Sequence, residues 1–270
     1  MLEPVTTDDR SSDAMTEGPD MQRRPGTPIS GHGHSLPIGR IAGIPIRLHW
    51  TFVLLIGFVV LADWSAGGAV VMAGLVWIGA LFSFVVAHEI SHCLVARRRG
   101  ATVEGILLLP IGGLSQLTRM PEAPDDELAV AIVGPLTSLG IGVTVMAAGL
   151  LAGSRLWPPT LFAGDWWARL AWLNLLLGAF NLLPALPMDG GRVLRAALAR
   201  RRSKLEATLL AGRVARYLDG AMVVVGLFYD VWLVLIGLFV LLGANAEEQA
   251  ARHSPDDRAP PRGPRAERLP

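Results

Sequence analysis

Long apolar runs alternate with short polar breaks along this chain, and the run lengths predict most of its architecture. Residues 49–62, 69–96, 128–151, 166–183, 207–228 and 231–242 are rich in Leu, Val, Ile, Ala and Gly and poor in charge. A helix rises about 1.5 Å per residue, so roughly 20 apolar residues cross the hydrocarbon core of a bilayer. The pattern predicts about six transmembrane helices, the first so short that it must borrow residues at one end. Residues 100–120 break the rule. Two β-leaning runs flank Pro110 and Gly112-Gly113, which predicts a hairpin or re-entrant element at the membrane face. Non-helical backbone at that depth survives only against protein or water, so this element should pack on the rest of the protein or line a cavity in it. Residues 38–48, IGRIAGIPIRL, carry Gly43 and Pro45 and predict a short interfacial or extended segment. Residues 1–37 and 246–270 are polar and rich in Pro and charge, and are expected to be disordered tails. No apolar core of a cleavable signal peptide is visible in the first of them. The expectation is one domain, residues 38–245: an all-α polytopic membrane protein with a small re-entrant β-hairpin or sheet near its active site.

Composition agrees. Hydrophobic residues make up 51% of the chain and charged residues 17%, the latter crowded into tails and loops, which excludes a soluble domain and makes the lipid bilayer a partner. No nucleic-acid partner is expected, because the basic residues gather at span ends. Arg97-Arg98-Arg99 and Arg119 follow the second run, and Arg192, Arg195, Arg200–Arg202 and Lys204 follow the fourth, whereas the opposite loops hold little beyond Arg155. The positive-inside rule then places both termini in the cytoplasm of a cell expected to carry the protein in its inner (plasma) membrane. The single cysteine, Cys93, forms no intrachain disulfide.

The second run ends in His88-Glu89-Ile90-Ser91-His92. On a helix His88 and His92 lie about 6 Å apart along the axis on one face, where both imidazoles reach one Zn²⁺. Glu89 points about 100° away, placed to act on water without being a ligand. Ionisable groups inside a span cost about 2.5 kcal/mol or more each, so three together need a reason, and a metal supplies one. The motif lies about 7.5 Å of helix before the arginine cluster, at the cytoplasmic end of its span. The fourth run ends at the same face, and Asp189 follows it in Pro184-Ala185-Leu186-Pro187-Met188-Asp189-Gly190-Gly191, well placed as a third ligand. Asn181, the other polar residue at that end, suits either a substrate carbonyl or helix-helix packing.

Taken together, His88-Glu89-Ile90-Ser91-His92, Pro110-Ile111-Gly112-Gly113 and the segment from Asn181 to Arg192 resemble the site-2 protease family of intramembrane zinc metalloproteases. The resemblance covers residues 38–245 and implies one zinc per chain held by His88, His92 and Asp189, with Glu89 as general base. It implies that Asn181 lies at the substrate cleft and that Gly112 and Gly113 belong to an element that positions substrate. The substrate it implies is a single-pass transmembrane protein, for example an anti-sigma factor. Many prokaryotic relatives carry a CBS pair or a PDZ domain, and neither is visible in these residues. Two other classes compete. A metal-ion transporter needs acids or histidines spread through several spans, and Asp219 is the exception in spans poor in them. A catalytically silent scaffold has no need to keep Glu89, His92 and Asp189 together.

Overall fold

The computed structural model describes residues 35–119, 123–157, 159, 161 and 164–253. Of the predicted tails, residues 1–34 and 254–270 lie outside this set; the described parts are ordered into the fold. Ser35–Pro37 start a strand, and residues 246–253 extend the last helix.

Two hairpins make one sheet. β1 (Ser35–Ile41) and β2 (Ile44–His49) are antiparallel around Ala42-Gly43, both at positive φ, and β3 (Thr102–Leu109) and β4 (Gly112–Arg119) form the hairpin expected from the sequence. β2 and β3 join the two in parallel through Ile46–Ile106 to Leu48–Leu108, giving the order β1-β2-β3-β4 with β4 at an edge. One sheet face buries Ile44, Ile46, Ile106 and Leu108 against Phe52, Phe82 and Cys93. The segment expected to be interfacial or extended is extended, and makes half of a sheet.

Helices supply the rest: α1 (Phe52–Asp63), α2 (Gly68–Arg98), α3 (Pro124–Leu151), α4 (Trp166–Asn181), α5 (Asp189–Ala199), α6 (Lys204–Tyr229) and α7 (Val231–His253). Their order follows the apolar runs, but the count of six spans is not supported. Among the described residues three helices, α2, α3 and α7, are long and apolar enough to cross a membrane. α1 has 12 residues and α4 has 16, and α6 carries Arg213, Arg216 and Asp219. Their apolar faces remain uncovered, as at Phe58, Leu61, Leu176 and Phe228, which suits contact with lipid.

α3 lies at the centre, packed on α2, α4 and α5. Small residues permit this. A Cβ on Gly142 would meet Leu175 Cγ at 2.8 Å, and one on Gly178 would meet Leu139 Cγ at 2.7 Å, so α3 and α4 touch backbone to side chain. The acidic first turn of α3 does not cap the helix; it binds the arginines that the charge pattern placed at one face. Asp125 pairs with Arg200, Asp126 with Arg99 at 2.6 Å, and Glu127 with Arg195 at 2.6 Å. The first two are exposed enough to contribute little. The Glu127–Arg195 pair is buried, with Arg195 also 3.4 Å from Glu247, so it ties α3, α5 and α7 together and would be costly to break on one side only.

Candidate metal centre

His88 and His92 stand one turn apart on α2, 4% and 6% exposed, facing α3 and the start of α5. Asp189 opens α5. It comes within reach because the chain folds back tightly after α4: a Cβ on Gly191 would lie 2.5 Å from the Ala185 carbonyl carbon, and one on Gly190 would run into the Leu182 and Leu183 carbonyls. Glycine is the residue that allows this approach.

Three donor atoms converge. His88 Nε2 is 3.0 Å and His92 Nε2 3.1 Å from Asp189 Oδ2, and the two Nε2 atoms are 3.1 Å apart. The other ring nitrogens reveal the protons. His92 Nδ1 lies 2.6 Å from the Val130 carbonyl, which only accepts, so Nδ1 carries the hydrogen. His88 Nδ1 lies 3.0 Å from Ser138 Oγ, which can accept in the same way. Neutral rings so fixed turn lone pairs at Nε2 toward each other and toward a carboxylate oxygen. Three converging acceptors repel unless a cation sits among them, and two imidazoles with a carboxylate are a donor set that zinc accepts, with room for a fourth ligand. Among the described residues this is the one group of three metal-binding side chains. Asp219, which an ion path would need, is fully buried in α6 without a hydrogen-bond partner among the described residues and lies outside the group.

Glu89 belongs to a different face. It is half-buried, and β4 runs against it: a Cβ on Gly113 would sit 2.5 Å from Glu89 Cγ. Ser115 Oγ donates a hydrogen bond to Glu89 Oε2. Gly112, at φ +146, starts that strand, with open space where its side chain would be. Asn181 ends α4 and donates to the Leu177 carbonyl one turn back, at 2.9 Å, rather than toward the three donors.

The chain's similarity to known proteins matches this geometry. The model of peptidase family M50 matches residues 76–164 and 159–224, which takes in His88, Glu89, His92 and Asp189. The chain belongs to peptidase family M50. It is 38% identical over 217 residues to a zinc metalloprotease of Methanocaldococcus jannaschii, covering 80% of this chain and 61% of that protein. It is 35% identical over 242 residues to Rip3 of Mycobacterium tuberculosis, covering 79% of this chain and 58% of that one. The chain therefore spans about three-fifths of the length of these curated relatives. A solved structure of the site-2 protease from Methanocaldococcus jannaschii aligns with a TM-score of 0.58 and 35% identity, over 80% of this chain and 95% of that one.

Sequence reasoning missed Ser138, Ser115, Gly134 and the Val130 carbonyl as parts of the site. A Cβ on Gly134 would lie 2.7 Å from His88 Nε2 and closer still to His92 Nε2. The signal available was periodicity: Val130, Gly134 and Ser138 are four residues apart and share one face of α3.

Proposed function

We propose that this M50 protein is an intramembrane zinc endopeptidase that hydrolyses a peptide bond within or near the transmembrane helix of a membrane-anchored, single-pass regulatory protein, for example an anti-sigma factor. The observation that carries the proposal is the convergence of His88, His92 and Asp189 with Glu89 held just outside them. Relatives named as zinc metalloproteases support it.

His88, His92 and Asp189 would hold one zinc per chain. Bound there, zinc supplies Lewis acidity, which polarises a scissile carbonyl and acidifies water. Glu89 accepts the proton of the attacking water at its carboxylate and passes it to the departing amide nitrogen. Its half-buried position lets it exchange protons, while the buried histidines stay fixed. Gly112 and Gly113 keep the start of β4 free of side chains, so an extended segment of substrate can pair with that edge. A transmembrane helix must unwind there first, because its carbonyls are otherwise hydrogen-bonded within the helix. Asn181, at the end of α4, would turn to the substrate only by giving up its bond to Leu177. The arginine distribution supports an inner-membrane protein with both termini in the cytoplasm and the metal centre near that face.

Cleavage of a model transmembrane peptide by the purified protein in detergent tests the reading. Wild type should cleave, and a chelator should stop it. Glu89→Gln should lose about 10²–10⁴-fold, the usual worth of a positioned acid-base group. Full activity in Glu89→Gln would sink the mechanism.

A further inference from the structure

β4 meets α2 along matched faces. Gly113, Ser115 and Leu117 alternate onto the same side of the strand. Glu89, Cys93 and Ala96, three to four residues apart on α2, receive them. Gly113 lies against Glu89, Ser115 bonds Glu89 and Cys93, and Leu117 packs against the cluster of Ala96, Ala101 and Val130. Across the hairpin, Ser115 pairs with Ile106 and Gly113 with Leu108, both buried on the same face, so this part of β4 is anchored from the side.

The hydroxyl of Ser115 is used in a directed way. Cys93 Sγ, 3.4 Å away, donates to Ser115 Oγ, which turns the single serine proton toward Glu89 Oε2. Several hydroxyls in the apolar helices serve their own backbone, unlike Ser138: Ser83 bonds Gly79, Thr137 bonds Val133 and Thr144 bonds Gly140. Ser115 instead spans 26 residues of sequence to hold a carboxylate. A glutamate side chain has several rotamers of similar energy, and only a fraction of them would aim its oxygens at a water beside the three metal donors.

We propose that Ser115 is a positioning residue for Glu89: its hydroxyl, oriented by the Cys93 thiol, anchors Oε2 so that Oε1 is left to take the proton. The inference rests on the peptidase reading above. It separates two tasks of β4, because the strand's free edge faces substrate while its inner face aims the base.

The test compares wild type, Ser115→Ala and Ser115→Thr, each purified in detergent with zinc. Three quantities are read: zinc per chain, kcat and KM on one model transmembrane peptide, and the alkylation rate of Cys93. Cys93 is the chain's only cysteine and is fully buried against β4, so its reactivity reports whether the strand remains seated. Ser115→Ala should keep zinc and a slow Cys93, with kcat down by about 10–100-fold and KM unchanged. Ser115→Thr, which restores the hydroxyl, should recover most of kcat. Wild-type kcat in Ser115→Ala overturns the inference. So does a loss of kcat accompanied by fast Cys93 alkylation or lost zinc, which would make Ser115 a mere prop for the strand, and so does a threonine that restores nothing. A wild-type protein that binds zinc but cleaves no peptide overturns the peptidase reading itself, and is seen before any variant is made.

Discussion

α3 and β4 both press on the same two turns of α2, but they hold different things. α3 presents Val130, Gly134 and Ser138 to the two histidines, which are almost wholly buried, and fixes both rings through their Nδ1 atoms. β4 presents Gly113 and Ser115 to Glu89, which stays half-open. The α3 contact comes from one rigid helix held by α4 and the Glu127–Arg195 pair; the β4 contact comes from a strand at the edge of a sheet. On the proposed reading this is a division of labour around one helix: the face toward α3 carries two of the three candidate metal donors, and the face toward β4 carries the proposed base. Rigidity suits the first, since ligand geometry sets affinity, and an open edge suits the second, since substrate and water must arrive there.

That division can be broken at single residues. The largest effect is expected at Gly134. A valine there would occupy the space of both Nε2 atoms, so zinc and cleavage should disappear together, checked by metal analysis and peptide cleavage on the same sample. If Gly134→Val keeps its zinc, α3 does not shape the metal centre.

Gly113→Val comes next. Its side chain would displace Glu89 and crowd the start of β4, so cleavage should fall about 100-fold with zinc content unchanged. Loss of zinc in this variant would erase the distinction between the two faces. The mildest change is Ser138→Ala, which removes the partner of His88 Nδ1 and leaves a buried ring nitrogen unsatisfied. Zinc affinity, measured by competition with a chromophoric chelator, should weaken by about 10–100-fold. Ser138→Thr should restore it; affinity equal to wild type in Ser138→Ala would mean the serine does not orient the ring.

Much of this was legible in the chain because apolar runs and helices coincide when a bilayer is the solvent. Histidines and acids stand out against such runs, so His88, Glu89, His92 and Asp189 could be singled out, and the structure brings the two histidines and Asp189 together. The number of spans was less legible: hydrophobicity marks burial in lipid or protein alike, α1 is apolar without the length to cross alone, and α4 has 16 residues with Arg169, Asn174 and Asn181 among them. The sheet was half visible. A hairpin such as β3–β4 is local, but the β2–β3 pairing joins residues about sixty positions apart, and nothing near Ile46 announces Ile106. Ser115 and Ser138 were invisible for a related reason. A hydroxyl in an apolar run usually bonds the carbonyl one turn back, as Thr137 does, and only the fold shows which ones do not. Asn181 illustrates the reverse: chemistry alone allowed a substrate role, while the structure gives its amide to its own helix.

One comparison tests the division most directly, because it concerns residues three apart on the same helix. Zinc affinity is measured for purified Glu89→Gln and His92→Ala beside wild type. The account predicts that Glu89→Gln binds one zinc per chain as tightly as wild type, while His92→Ala surrenders its zinc to a mild chelator. A Glu89→Gln protein that sheds zinc as readily as His92→Ala would make Glu89 part of the metal centre and contradict the account.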